Sequence, residues 1–290
     1  MNFLKKLFGI SAEEKTLTKE EQQHADDRKF DILKYDGVKA LKINNFDYAI
    51  ECFTHALDMR DDLESVDYLS QAYAGLGDYS KSYQQLEKLA EAQPDNIEIF
   101  LRMAGIAYVM EDYVVMSTAC EKALLVDPDS PEALFMYAKA CVGTDDSTNA
   151  VAMLTKAINI RDDYAEAYLL RGEVALSVGS LDEADEDASY LLEKYPGNEE
   201  TLMLKAKIEQ QRGNAESAAE YYGKVIDVNP FSKEAYSQRA ALRRQMGDDD
   251  GARSDEEHLE EILSSEEGGG KQDIESKVEE SYKNVNPLGL

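Results

Sequence analysis

The chain has 290 residues, of which 43% are hydrophobic, enough apolar material for a substantial buried core. Its 31 Lys+Arg against 59 Asp+Glu leave a net charge of −28, and so negative a surface repels phosphate, which excludes nucleic-acid wrapping or adhesion to an anionic leaflet as a main activity. No stretch reaches the roughly 18 uncharged apolar residues of a membrane span, and Cys52, Cys120 and Cys141 lack the CxxC spacing of a thiolate zinc site and form no even-numbered disulfide set, so buried thiols are expected.

Residues 1–10 place Phe3, Leu4, Leu7, Phe8 and Ile10 around Lys5 and Lys6. This amphipathic segment has no apolar h-region followed by a small-residue cleavage site, so it is not read as a secretory signal, and a cytoplasmic location is the default. Packing on the following helix, disorder and weak contact with a membrane surface are the three roles open to it. Thr18-Lys19-Glu20-Glu21 has the form of a capping box and predicts a helix leading toward residue 30, so that residues 1–29 form an amphipathic segment and a lead-in.

From residue 30 the chain repeats itself. Gly77-Asp78-Tyr79 returns as Glu111-Asp112-Tyr113 after 34 residues, and Gly179, Gly213 and Gly247 keep the same step, as do Pro94 and Pro128, Pro196 and Pro230, and the alanines at 150, 184, 218 and 252. The period divides the chain into seven repeats, 30–62, 63–96, 97–130, 131–164, 165–198, 199–232 and 233–266, followed by a glycine hinge and a helical tail over 267–290. Within a repeat, apolar residues recur at positions 4, 8 and 11 and again at 20, 24, 27 and 28. That spacing predicts two amphipathic helices, A and B, with a turn such as Gly77-Asp78 between them.

In the fifth repeat Tyr168, Gly172, Ala175, Gly179, Leu181, Ala184 and Pro196 fall in the order bulky, small, small, turn glycine, apolar, small, proline. This pattern resembles the tetratricopeptide repeat family, and the resemblance extends over residues 30 to about 266. It implies an all-α fold, a right-handed superhelical solenoid of antiparallel helix pairs in which helix A lines the inner surface. Small residues at position 8, among them Gly37, Ser70, Ala104 and Gly172, let the two helices approach closely. The fourth repeat departs from the pattern with Asp145-Asp146-Ser147 at the turn, so a looser, distorted turn is expected there.

No GxSxG, HExxH, GxxxxGK[ST] or GxGxxG motif occurs, and His24, His55 and His258 lie far apart without ligand spacing, so no enzyme, cofactor or metal site is expected. Position 2 is acidic in every repeat: Asp31, Glu64, Glu98, Glu132, Glu166, Glu200 and Glu234. These carboxylates follow capping residues such as Asp62, Asn96, Ser130, Asn198 and Ser232, where they complement the helix dipole, and they could also form an acidic rim toward a partner.

The resemblance places positions 5, 6 and 9 of helix A in the concave groove. There Tyr68, Leu101, Phe135, Leu169 and Met203 are the expected apolar anchors, with Met136 and Leu170 beside them. Gln71, Arg102, Lys139, Glu173 and Lys207 are the polar residues along the same stripe. Neighbouring helices either cover part of the stripe or leave it open to an extended or helical peptide. The basic and asparagine clamp of family members that bind chaperone tails is essentially absent, since Lys34 is followed by Val38, the second repeat offers Gln71 and the third Glu98 with Arg102. The expected function is a non-enzymatic scaffold that binds a protein or peptide segment. The alternative is an assembly module whose groove is filled by its own or a neighbouring copy's C-terminal tail, where Ile274, Val278 and Tyr282 recur at four-residue spacing.

Overall fold

The computed structural model describes residues 18–268, which form fourteen α-helices and no strand. They belong to two compact units, one ending at Pro128 and the other beginning at Asp129. The first holds α1 (Lys19–Lys42), α2 (Phe46–Met59), α3 (Leu63–Leu76), α4 (Tyr79–Ala92), α5 (Ile97–Val109) and α6 (Tyr113–Val126). The second holds α7 (Pro131–Gly143), α8 (Ser147–Ile160), α9 (Ala165–Ser177), α10 (Leu181–Lys194), α11 (Glu199–Gln211), α12 (Ala215–Val228), α13 (Lys233–Gln245) and α14 (Asp249–Gly268). Helices pack in consecutive pairs, odd numbers being helix A and even numbers helix B. From α3 onward every helix A begins at the residue where the sequence period opens a repeat.

Capping explains these starts. Asp62 accepts the Ser65 N–H at 2.8 Å, Asn198 that of Thr201 at 2.8 Å, Ser130 that of Ala133 at 3.2 Å and Asn96 that of Glu98 at 3.2 Å. Each such bond satisfies one orphan donor and contributes about 1 kcal/mol. Ser232 makes no side-chain cap bond, contrary to expectation; only its carbonyl enters the helix, accepting from Tyr236 N–H at 3.2 Å. The capping box at Thr18 is formed, with the Thr18 N–H donating to Glu21 Oε2 at 2.9 Å and the Glu21 N–H to Thr18 Oγ1 at 3.2 Å. It opens α1, which runs unbroken for 24 residues, so the lead-in and the first helix A are one element.

The turn of the fourth repeat is not distorted. Asp145 adopts φ 59° where Gly77 has 84°, and the Asp146 N–H reaches Cys141 O at 2.8 Å just as the Asp78 N–H reaches Tyr73 O at 2.9 Å. A short polar side chain tolerates the left-handed region better than most, so aspartate keeps the geometry that glycine supplies elsewhere. Asp146 then caps α8 by accepting the Asn149 N–H at 3.2 Å. Glu111 occupies the same place at φ 56° with a longer side chain. Glu111→Gly is therefore expected to raise stability by up to about 1 kcal/mol and Gly77→Ala to lower it by about 1 kcal/mol, read as opposite shifts of the urea midpoint.

Close approach of paired helices rests on small side chains. Ser70, Ala104, Ala138 and Ala206 on the A helices, and Ala49, Ala150, Ala184, Ala218 and Ala252 on the B helices, are fully buried. Larger core residues bridge neighbouring repeats: Phe53 with Leu69 in the first compact unit, Leu154 with Ala167 and Ala188 with Ile208 in the second. Within each compact unit these repeats thus complete their apolar faces against the next. Cys52, Cys120 and Cys141 are buried free thiols.

The core also holds ion pairs that the apolar pattern does not announce. In the fifth repeat Arg171 (position 7) donates to Asp187 (position 23) through Nε at 2.9 Å and Nη2 at 2.7 Å, and through Nη1 to Thr155 Oγ1 at 3.0 Å. In the seventh, Arg239 grips Asp255 at 3.0 and 2.6 Å, and Arg243 adds a contact at 2.8 Å. The two carboxylates are 4% and 2% exposed. The third repeat has Met103 and Ala119 at the same two positions.

Candidate functional site

In the first compact unit the face carrying positions 5, 6 and 9 is polar and internally satisfied. Lys34 lies 2.9 Å from Asp62 and also pairs with Glu64, which accepts the Tyr68 hydroxyl at 3.0 Å. Burial resists the charge on Lys34, but hydrogen bonds and attraction from Glu64 and Asp62 raise its pKa above the ordinary value. Arg102 is ion-paired with Asp67 and donates to Ser70 Oγ at 2.6 Å; the Gln71 amide reaches Asp67 at 3.2 Å. The Tyr68 ring is stacked on Phe53 at 5.4 Å, and Leu101 is half-buried. A 250 Å³ hollow here is lined by Glu64, Asp67, Glu98 and Arg102 with Leu63, Leu89 and Ile99. The larger 650 Å³ hollow is lined, among the described residues, by α1 from Glu21 to Leu33.

In the second compact unit the stripe is apolar but partly used by the fold. Leu170, half-buried, packs against both the cluster that holds Leu154 and the one that holds Val174. Phe135 is half-buried against the same cluster, with its ring 5.1 Å from Tyr164 and the Lys139 ammonium 6.0 Å from its centre. Met136 is half-buried, and Leu169 packs at the edge of the cluster around Leu204.

Between α9 and α11 the stripe opens into a cleft of 400 Å³. Leu176, Met203 and Leu204 supply its apolar lining; Glu173, Glu200 and Lys207 its charged residues; the exposed Ser177 and Gln211 complete it. A smaller hollow of 190 Å³ adjoins it, sharing Glu200 and lined also by Glu166, Leu169 and Tyr195. Met203 is half-buried, in contact with the cluster around Tyr222. Glu173 is exposed overall, yet desolvation of its carboxyl and the nearby charge of Glu200 raise its pKa above the usual glutamate value, against a pull from Lys207. Lys207 itself lies 2.8 Å from Glu234 of the next repeat.

The cleft therefore unites three of the expected groove residues, Glu173, Met203 and Lys207, with Leu169 at its neighbour. It does not include Phe135, Met136, Lys139 or Leu170. Leu176, Ser177 and Gln211 are cleft residues outside the positions expected for the groove, whereas Glu200 is one of the acids expected to face a partner. The positions of the first three, 12, 13 and 13, continue the helical series 2, 5, 6, 9 by one turn at its C-terminal end, which is the signal that finds them.

Beyond the stripe, Asp185 of α10 anchors a charged cluster. Its carboxyl is ion-paired with Lys205 and lies 3.0 Å from Arg212. Burial pushes its pKa up, but hydrogen bonds and charge from Lys205 and Arg212 outweigh this and hold it below the ordinary aspartate value. No group of three or more potential metal-ligating side chains occurs among the described residues, and none of their helices is long and apolar enough to cross a membrane. The N-terminal amphipathic segment and the C-terminal tail lie outside the described residues.

The tetratricopeptide repeat profile matches residues 69–96, 131–164 and 199–232, in register with the helix pairs above. The chain is built of tetratricopeptide repeats. Among solved structures, a tetratricopeptide repeat protein from Parabacteroides merdae superposes with a TM-score of 0.65 at 15% identity, covering 86% of this chain and 97% of that one. PilW, a widely conserved type IV pilus biogenesis factor, gives 0.61 at 17% identity, covering 74% and 98%. YrrB, a tetratricopeptide repeat protein with an unusual peptide-binding site, gives 0.53 at 21% identity, covering 64% and 97%. At such identities the likeness is one of fold.

Two curated sequences are similar over shorter stretches. The cellulose synthase operon protein C of Pseudomonas fluorescens is 29% identical over 120 residues, 41% of this chain and 9% of that protein. DnaJ homolog subfamily C member 3 of Homo sapiens is 28% identical over 144 residues, 44% of this chain and 29% of that protein. The chain thus matches less than a third of the length of either relative. A tetratricopeptide repeat array supports the role of a protein–protein interaction scaffold.

Proposed function

We propose that this chain is a non-enzymatic scaffold that holds a peptide segment of a partner protein in the cleft between α9 and α11. One observation carries the reading. Between α9 and α11 the buried Leu176 and Leu204 and the half-buried Met203 line a two-walled cleft with charged groups around it, larger than the 250 Å³ hollow of the first compact unit. YrrB, of the same fold, is described as having a peptide-binding site, which accords with this use of the repeats. Tyr68, Leu101 and Phe135 are not part of this cleft.

The test is partner or peptide binding by the full chain carrying Met203→Glu, which places a charge on the apolar lining, or Ser177→Tyr, which places a bulky ring at an exposed lining residue of the cleft. Both are expected to weaken binding at least about tenfold, a loss on the order of 1.4 kcal/mol, with helix content retained by circular dichroism. Unchanged affinity in both variants would remove the cleft from consideration.

A further inference from the structure

We propose that the α9–α11 cleft selects a segment in which an apolar side chain is accompanied by a lysine or arginine. This rests on the reading of the cleft as a peptide site and adds the chemistry of its occupant. The lining carries two carboxylates, Glu173 and Glu200, against one ammonium, Lys207, and that ammonium is already 2.8 Å from Glu234. Lys207 is therefore a poor receptor for an acidic ligand, because an incoming carboxylate would meet three acids around one engaged cation. Glu166, in the adjoining hollow that shares Glu200, extends the acidic border toward the N-termini of α9 and α11.

A cation placed between Glu173 and Glu200 relieves their mutual repulsion. That repulsion is evident in the upward shift which Glu200 adds to the desolvation of Glu173. An apolar side chain beside the cation would cover Leu176, Met203 and Leu204, so the two requirements are met by adjacent residues of one segment. The chain's own C-terminal tail pairs lysine with an apolar residue at Lys277-Val278 and Tyr282-Lys283, but with Asp273, Glu275, Glu279 and Glu280 against Lys271, Lys277 and Lys283 it brings a net negative charge, so a basic partner segment is the better occupant.

A phage-displayed library of random dodecapeptides, panned on the full-length chain, tests both levels. Clones are counter-screened on Met203→Glu and Ser177→Tyr to retain those that depend on the cleft. The expected result is enrichment of Lys or Arg next to Leu, Phe or Met among cleft-dependent clones. Panning on Glu173→Gln/Glu200→Gln should abolish the Lys/Arg enrichment while leaving the apolar preference, and a selected basic peptide should bind that variant about fivefold more weakly. Cleft-dependent clones without basic enrichment, or enrichment that persists on the Gln variant, would overturn the charge inference and leave the peptide site standing. No cleft-dependent clones at all would count against the site itself, and against its proposed selectivity with it.

Discussion

Arg171→Met is expected to destabilise the second compact unit by about 3–5 kcal/mol. The substitution removes three donated hydrogen bonds and leaves the Asp187 carboxylate, 4% exposed, between α9 and α10 without a cation. A buried acid without a partner is far costlier than a buried pair is beneficial, so the loss measures desolvation rather than the strength of the bridge. The third repeat shows what the site looks like without charges: Met103 and Ala119 occupy the same positions at 2% and 1% exposure. Arg171→Met/Asp187→Ala is therefore expected to return to within about 1 kcal/mol of the parent, since replacing both partners by apolar groups is often close to neutral. Asp187→Ala alone should be the milder single change, because Arg171 at 23% exposure can turn its guanidinium toward water. Urea titrations followed by circular dichroism separate the three variants. A double variant no more stable than Arg171→Met would show that the ion pair supplies something beyond mutual neutralisation.

The contrast between the third and fifth repeats marks where the sequence is legible. The 34-residue period locates the start of every helix A from Leu63 on, because caps, first-turn acids and turn glycines all recur with it. Asp145 at the fourth turn breaks the pattern without breaking the turn, because the pattern registers residue type, whereas the turn requires only that the residue tolerate φ near 60°. Arg171 and Asp187 are complementary at the positions where Met103 and Ala119 are apolar, but 16 residues separate them, so only superposition of the repeats exposes the pair.

The groove was legible as a face and not as a cavity. Positions 5, 6 and 9 do share one side of helix A. Depth, however, depends on how far the next repeat overlaps that side, which no single helix encodes. Leu170 packs against two core clusters and Arg102 is held by Asp67, whereas Met203 stays at the border of an opening.

Gly172→Val is expected to cost about 1–3 kcal/mol of stability and to weaken peptide binding at the same time, because one contact serves both. Position 8 holds alanine in the third, fourth, sixth and seventh repeats, but in the fifth a Cβ on residue 172 would stand 2.8 Å from Leu204 Cδ2, 3.4 Å from Asp187 Cβ and 3.5 Å from Ala184 O. Alanine there displaces only the end of a flexible leucine, and its better helix propensity, about 1 kcal/mol over glycine, offsets that. Gly172→Ala should accordingly be near neutral in stability. Valine adds two methyl groups against the same neighbours and must move Leu204, whose other side lines the cleft. Leu204→Ala in the valine background should recover part of the stability by vacating the space, while peptide affinity stays low because the apolar lining is gone. Stability of Gly172→Val equal to the parent would mean that α9 and α11 can separate at this point without loss, and the cleft would then lack the rigid wall on which its selectivity depends.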